Sequence, residues 1–187
     1  MTRPDTGQRR SAELPGRIHG QRAFSLVELV IVVVIIAVIA AIAVPRATEA
    51  SRNATAAAMA AHIRKLADAF AVYHAEHGSW PTDTAAGVLP SEMAGRLRPS
   101  DFGPSPAGGL YDWQNWLTKG GDNIGGCFIG VAWGQVDGQQ SNVTDWVLLQ
   151  KVDSILNDGS LSTGAFIQFT HNQIGGGGMA GLRLVIQ

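Results

Sequence analysis

The chain has 187 residues, 45% of them hydrophobic, a formal net charge of −1 and a single cysteine. That length suits one small globular domain attached to one anchor helix. The mildly acidic balance gives no electrostatic reason to expect nucleic-acid binding, and a lone Cys127 excludes an intramolecular disulfide.

Residues 1–23 are rich in Arg, Gly and Pro and read as a disordered leader. Arg3, Arg9, Arg10, Arg17 and Arg22 stand against Asp5 and Glu13, so the leader carries +3 and the remainder −4. Residues 24–44 follow, 21 positions in which only Ser25 and Glu28 are polar. As a helix this stretch spans roughly 30 Å, the thickness of a bilayer's hydrocarbon core. A basic flank before it predicts a cytoplasmic N-terminus. Glu28 is the anomaly, because a carboxylate in hydrocarbon is costly unless something pairs with it. A secretory signal peptide has a shorter apolar run, although Ala41-Ile42-Ala43 mimics its cleavage site. A plain signal anchor explains the length but not Glu28.

The basic leader, Ala23, the run Phe24-Ser25-Leu26-Val27-Glu28, the long apolar stretch and Pro45 together resemble the N-terminal signal of type IV pilins and type II secretion pseudopilins. The resemblance covers about the first 60 residues. It implies that a prepilin peptidase cuts between Ala23 and Phe24 and methylates the new amino group of Phe24. It implies further that subunits leave the inner membrane, where the N-terminus is cytoplasmic and the head periplasmic, through an assembly platform. They would then join copies of themselves and other pilin-like subunits in a periplasmic pseudopilus or an extracellular pilus. Membrane lipid is the partner before assembly, and Glu28 is the assembly residue. Family members usually have Gly before the cut; here Ala23 stands there, small enough for cleavage to be expected.

Beyond Pro45, where the family's helix kinks, the sequence stays helical in pattern. Alanine dominates, and Ala56, Met59, Ile63, Leu66, Phe70 and Tyr73 recur at alternating spacings of three and four, one apolar seam. Arg52, Arg64, Lys65, Asp68 and Glu76 lie mostly off it. Gly78 and Pro81 stop the helix, and Tyr73 with Gly78-Ser79-Trp80-Pro81 resembles the helix-end signature of major pseudopilins. Residues 78–125 read as a long variable loop whose dense apolar patch, 110–117, is a short helix or an edge strand. Strands are expected over 127–133, 165–170 and 181–186, and a helix over 145–156 capped by Thr144. Its apolar face is Leu148, Leu149, Val152, Ile155 and Leu156. Asp137-Gly138 reads as a turn and residues 175–178 as a hairpin loop. The fold class is α+β: a long N-terminal helix packed through Met59, Ile63, Leu66, Phe70 and Tyr73 on a small antiparallel sheet. The divisions are a leader at 1–23, a membrane and filament-core helix at 24–44, its amphipathic continuation at 45–77 and a head at 78–187.

Other chemistry is weaker. His74 and His77 flank Glu76 at a helix end, but two ligands do not close a zinc site, and His62 and His171 are not placed by sequence. The Gly176-x-Gly178-x-x-Gly181 run precedes a strand rather than a helix, so it is no dinucleotide site. Asp101-Phe102-Gly103 stands without any other kinase element. Cys127 reads as a buried, inert thiol. Major pseudopilins hold calcium in a C-terminal loop; resemblance makes Asp122, Asn123, Asp137 and Asp158 candidate ligands, but their spacing matches no calcium loop. No cofactor is otherwise expected. Without an interpretable catalytic constellation the chain reads as a structural subunit, not an enzyme. The alternative is a membrane-anchored periplasmic binding module, with Trp113 and Trp116 as an exposed sugar-stacking pair and Trp133 in the core.

Overall fold

Fifty-two consecutive residues, Leu26–His77, form a single helix, α1. It is the longest element of the computed structural model, which describes residues 24–115, 126–136, 139–170 and 177–186. After α1 come two 3₁₀ turns, at Ser91–Met93 and Pro99–Phe102, and then strands β1 (Leu110–Asn115), β2 (Gly126–Val136) and β3 (Gln139–Ser141). Helix α2 (Trp146–Leu156) and strands β4 (Phe166–Thr170) and β5 (Gly178–Ile186) complete the chain. By packing, the chain divides into two units, residues 1–44 and 45–187.

The five strands form one antiparallel sheet in the order β1-β2-β5-β4, with β3 added against the end of β2. This is an α+β, pilin-like architecture. In register, Trp113 faces Ile129, Ile129 faces Leu182, and Leu182 faces Phe166, so one row of apolar side chains crosses all four main strands. The seam of α1 packs on that face of the sheet. Ala56, Met59, Ala60, Ile63, Leu66 and Phe70 share one buried cluster with Tyr111, Trp113, Ile129, Val131 and Phe166, and Tyr73 is half-buried against it. Helical periodicity selects one side: Arg52, Arg64, Lys65, Asp68 and Glu76 are all exposed. Leu148, Leu149 and Val152 of α2 join the same cluster.

Two glycines show where the backbone needed no side chain. Gly78 adopts φ 70° and donates its N–H to the His74 carbonyl at 2.8 Å, the left-handed cap that ends α1. Gly130 of β2 lies flat against Ala180 and Gly181 of β5, where an added Cβ would overlap the backbone.

Several local expectations are corrected here. Thr144 does not cap α2; Asp145 does, accepting from the Leu148 N–H at 2.9 Å, while Thr144 Oγ1 donates to the Ala107 carbonyl. Ile155, expected on the apolar face of α2, is exposed, and Asp153 is buried instead. The patch at 110–117 is a strand over its described part, 110–115. Gly178 opens β5 rather than closing a loop. The turn at Asp137-Gly138 lies outside the described residues.

Candidate functional site

From Phe24 to Val44 every residue except half-buried Ala40 is exposed, and among the described residues α1 is one helix long and apolar enough to cross a membrane. Phe24 and Ser25 precede the helix, and the Ser25 carbonyl accepts the first turn's Leu29 N–H at 3.1 Å. Glu28 lies in that first turn, where unpaired N–H groups favour a negative side chain. Its position is therefore good for the helix and poor for hydrocarbon. Ala23 lies outside the described residues. Pro45 sits inside α1, which continues through it, and Thr48 Oγ1 donates to the Pro45 carbonyl at 2.8 Å.

Within residues 45–187, polar contacts fasten α2 across α1. Lys151 pairs with Glu49 and donates to Asn53 Oδ1 at 2.7 Å; Arg52 meets Asp145 at 3.4 Å. Arg64 Nη2 donates to the Ile155 carbonyl at 2.7 Å, near the end of α2. The Lys151 ammonium holds the Glu49 carboxyl below its usual range.

The helix-end signature proves to be a tie between α1 and β1. Trp80 stacks on His74 with ring centres 4.3 Å apart, and lies 5.6 Å from Trp113. The carbonyl of buried Pro81 accepts from Trp113 Nε1 at 3.3 Å and from Asn115 Nδ2 at 2.9 Å. Gly78 turns the chain so that Pro81 can reach this strand. Sequence reading found the signature but not this role, because its acceptor is a backbone carbonyl with no residue type to mark it.

Other candidates resolve into structure. His77 stacks on Tyr73 at 4.1 Å, and Glu76 pairs with Arg96, so the His74–His77 pair is engaged in its own helix end. His62, half-buried, bonds to the Asp101 carbonyl at 2.8 Å and lies 4.6 Å from the Tyr111 ring. Asp101 accepts from Lys65 at 2.8 Å, which with the Arg98 N–H lowers its carboxyl, and Phe102 is core. Cys127 is buried, and burial pushes its thiol up to about 12. Gly178 and Gly181 lie within β5. Among the described residues no three metal-ligating side chains converge. Asp122, Asn123, Asp137, Trp116 and His171 lie outside them. Trp113 is not an exposed platform: it is fully buried, stacked on Phe70 with centres 4.2 Å apart. Trp133 is half-buried and meets Trp146 edge-on at 4.9 Å.

Residues 18–44 match the family model described as the prokaryotic N-terminal methylation motif, the signal of type IV pilins and pseudopilins. Comparison with curated proteins and with solved structures gave no match. The motif and the apolar N-terminal helix support a processed, membrane-anchored subunit of the type IV pilin and pseudopilin kind.

Proposed function

We propose that this chain is a structural subunit of a type II secretion pseudopilus or a type IV pilus, assembled through its N-terminal helix. Prepilin peptidase cuts between Ala23 and Phe24 and methylates Phe24, leaving a head of residues 78–187 carried by the amphipathic segment 45–77. Before assembly the segment 24–44 spans the inner membrane with the head periplasmic. Afterwards it joins the core of a filament made with copies of itself and other pilin-like subunits. The carrying observation is the methylation motif over residues 18–44 with Glu28 inside its apolar run. In a filament, the carboxylate of Glu28 pairs with the charged amino group of a neighbour's Phe24, an attraction strengthened by the low dielectric around it and offset by desolvation of both groups. The burial of Trp113 against Phe70 counts against the anchored binding module, whose sugar-stacking face needed that ring outside.

Glu28→Leu tests the reading. The variant is expected to be cut and inserted like wild type, yet to accumulate in the membrane and be depleted from sheared filaments, alone and in competition with wild type. Equal entry of variant and wild type into filaments refutes the pairing. Absence of the wild-type protein from every filament fraction favours the anchored module.

A further inference from the structure

α2 is fastened low on α1. Lys151 reaches Glu49 and Asn53, and Asp145, which caps α2, reaches Arg52. The far end of α2 is held higher, where Arg64 donates to the Ile155 carbonyl. The sheet gives the same direction. Tyr111 lies against His62 and Trp113 against Phe70, so β1 ascends alongside α1 and its antiparallel neighbour β2 descends. Trp133, towards the lower end of β2, meets Trp146 edge-on. The first turn of α2 therefore lies at the end of the head nearest Pro45.

That end is apolar and basic where it is open. Trp146 and Val147 are 38% and 52% exposed, whereas Leu148, Leu149 and Val152 turn into the core. Arg46, Arg52 and Lys151 outnumber Glu49 and Asp145. Arg52 and Lys151 are paired with those acids, and among the described residues Arg46 has no acidic partner. It lines a shallow, open depression with Pro45, Glu49, Ala50 and Asn53. Reach favours lipid as the occupant. Residues 49–53 stand about 6–12 Å beyond Pro45, and a helix lying across them has a half-width of about 5–6 Å. The near edge of α2 then comes within a headgroup layer of about 5–7 Å on a segment leaving the bilayer along its normal. Tryptophan beside a base suits that layer, which is apolar on one side and wet and phosphate-bearing on the other. A second copy is the weaker candidate, because two partly exposed side chains fall far short of the ~800 Å² per partner of a stable dimer.

We propose that before assembly the head rests on the bilayer surface through α2, with Trp146 and Val147 in the headgroup layer and Arg46 on lipid phosphate. The inference rests on the reading of residues 24–44 as the membrane span. It adds a contact that a subunit must break on leaving the bilayer for a filament.

Full-length protein in vesicles of phosphatidylcholine and phosphatidylglycerol tests it, with a nitroxide on some of the phosphatidylcholine headgroups. Cys127 is buried, so a fluorophore can be attached at Val147→Cys alone. Val72→Cys, also exposed and about 40 Å along α1 from Pro45, is the control. Flotation comes first: protein that does not float with the vesicles overturns the membrane reading and this inference together. In floating vesicles the Val147 label should lose several-fold more emission to the nitroxide than the Val72 label. Equal losses overturn the lipid contact and leave the anchor standing. Adding Arg46→Glu should reduce the loss at Val147, and an unchanged loss overturns the phosphate contact. If the nitroxide is without effect and the Val147 label quenches itself as protein per vesicle rises, a second copy covers this face and the proposal falls.

Discussion

Phe70→Ala would test whether the α1 seam holds the head together. The ring is fully buried, stacked on Trp113 with centres 4.2 Å apart and 6.1 Å from Phe102. Truncating a buried Phe to Ala costs about 3–5 kcal/mol, from lost transfer energy and the cavity left behind. Alanine's better helix propensity offsets about 0.5 kcal/mol of that. What remains raises the unfolding equilibrium constant by roughly two to three powers of ten, against a total domain stability of about 5–15 kcal/mol. Phe70→Asp should go further and unfold the head, since its carboxylate would face the sheet without a partner. Urea unfolding followed by tryptophan fluorescence reads the effect, because all five tryptophans lie at or beyond residue 80. Val72→Ala is the control: Val72 is 49% exposed on the same helix, and its loss should change stability by less than about 0.5 kcal/mol. If Phe70→Ala and Val72→Ala shift the midpoint equally, the seam does not support the sheet and the packing argument fails.

Processing predicts a mature protein that begins at Phe24 and has lost the leader's +3 charge; N-terminal sequencing and intact mass from cells with a prepilin peptidase check it. A start after Ala41 or Ala43 would make the chain a conventional secreted protein. Cys127, buried and with its thiol pushed up to about 12, should resist a thiol reagent in native protein at mildly alkaline pH and react in urea; rapid native labelling would show that β2 opens without unfolding.

The legible parts of this fold are those where one physical rule repeats along the chain. The run 24–44 is apolar all round, and the seam from Ala56 to Tyr73 repeats at helical spacing, so each residue confirms its neighbours. β1 lacks that redundancy. Tyr111 and Trp113 face α1, but Asp112 and Gln114 between them are buried as well, so the strand shows no alternation of apolar and polar residues. Residues 78–109 are held by bonds that occur once each. Glu92 accepts from the Thr82 N–H and hydroxyl, and Asp101 accepts from the Arg98 N–H, contacts that leave no period to read. Neighbouring residues can also exchange roles, as where Asp145 rather than Thr144 caps α2. Asp153 was illegible for a different reason: a charged residue type carries no sign of burial, yet the residue is buried on α2.

Magnitudes also decide what Glu28 can and cannot control. Fifteen large apolar side chains between Phe24 and Val44 are 45–78% exposed. Covering each is worth about 1 kcal/mol, half or so of the value for full burial, so the segment gains of the order of 15 kcal/mol on leaving water. A single carboxylate in the spanning region costs about 2.5–3.5 kcal/mol on insertion scales. The apolar gain exceeds that several-fold, so Glu28 does not decide whether the helix enters a bilayer. Lipid and packed copies of the same helix offer comparable apolar cover, so burial alone barely distinguishes the two surroundings. A group that is poorly placed in one and paired in the other can set the balance between them. The effect of Glu28→Leu therefore belongs in the ratio of filament to membrane protein, not in the amount inserted.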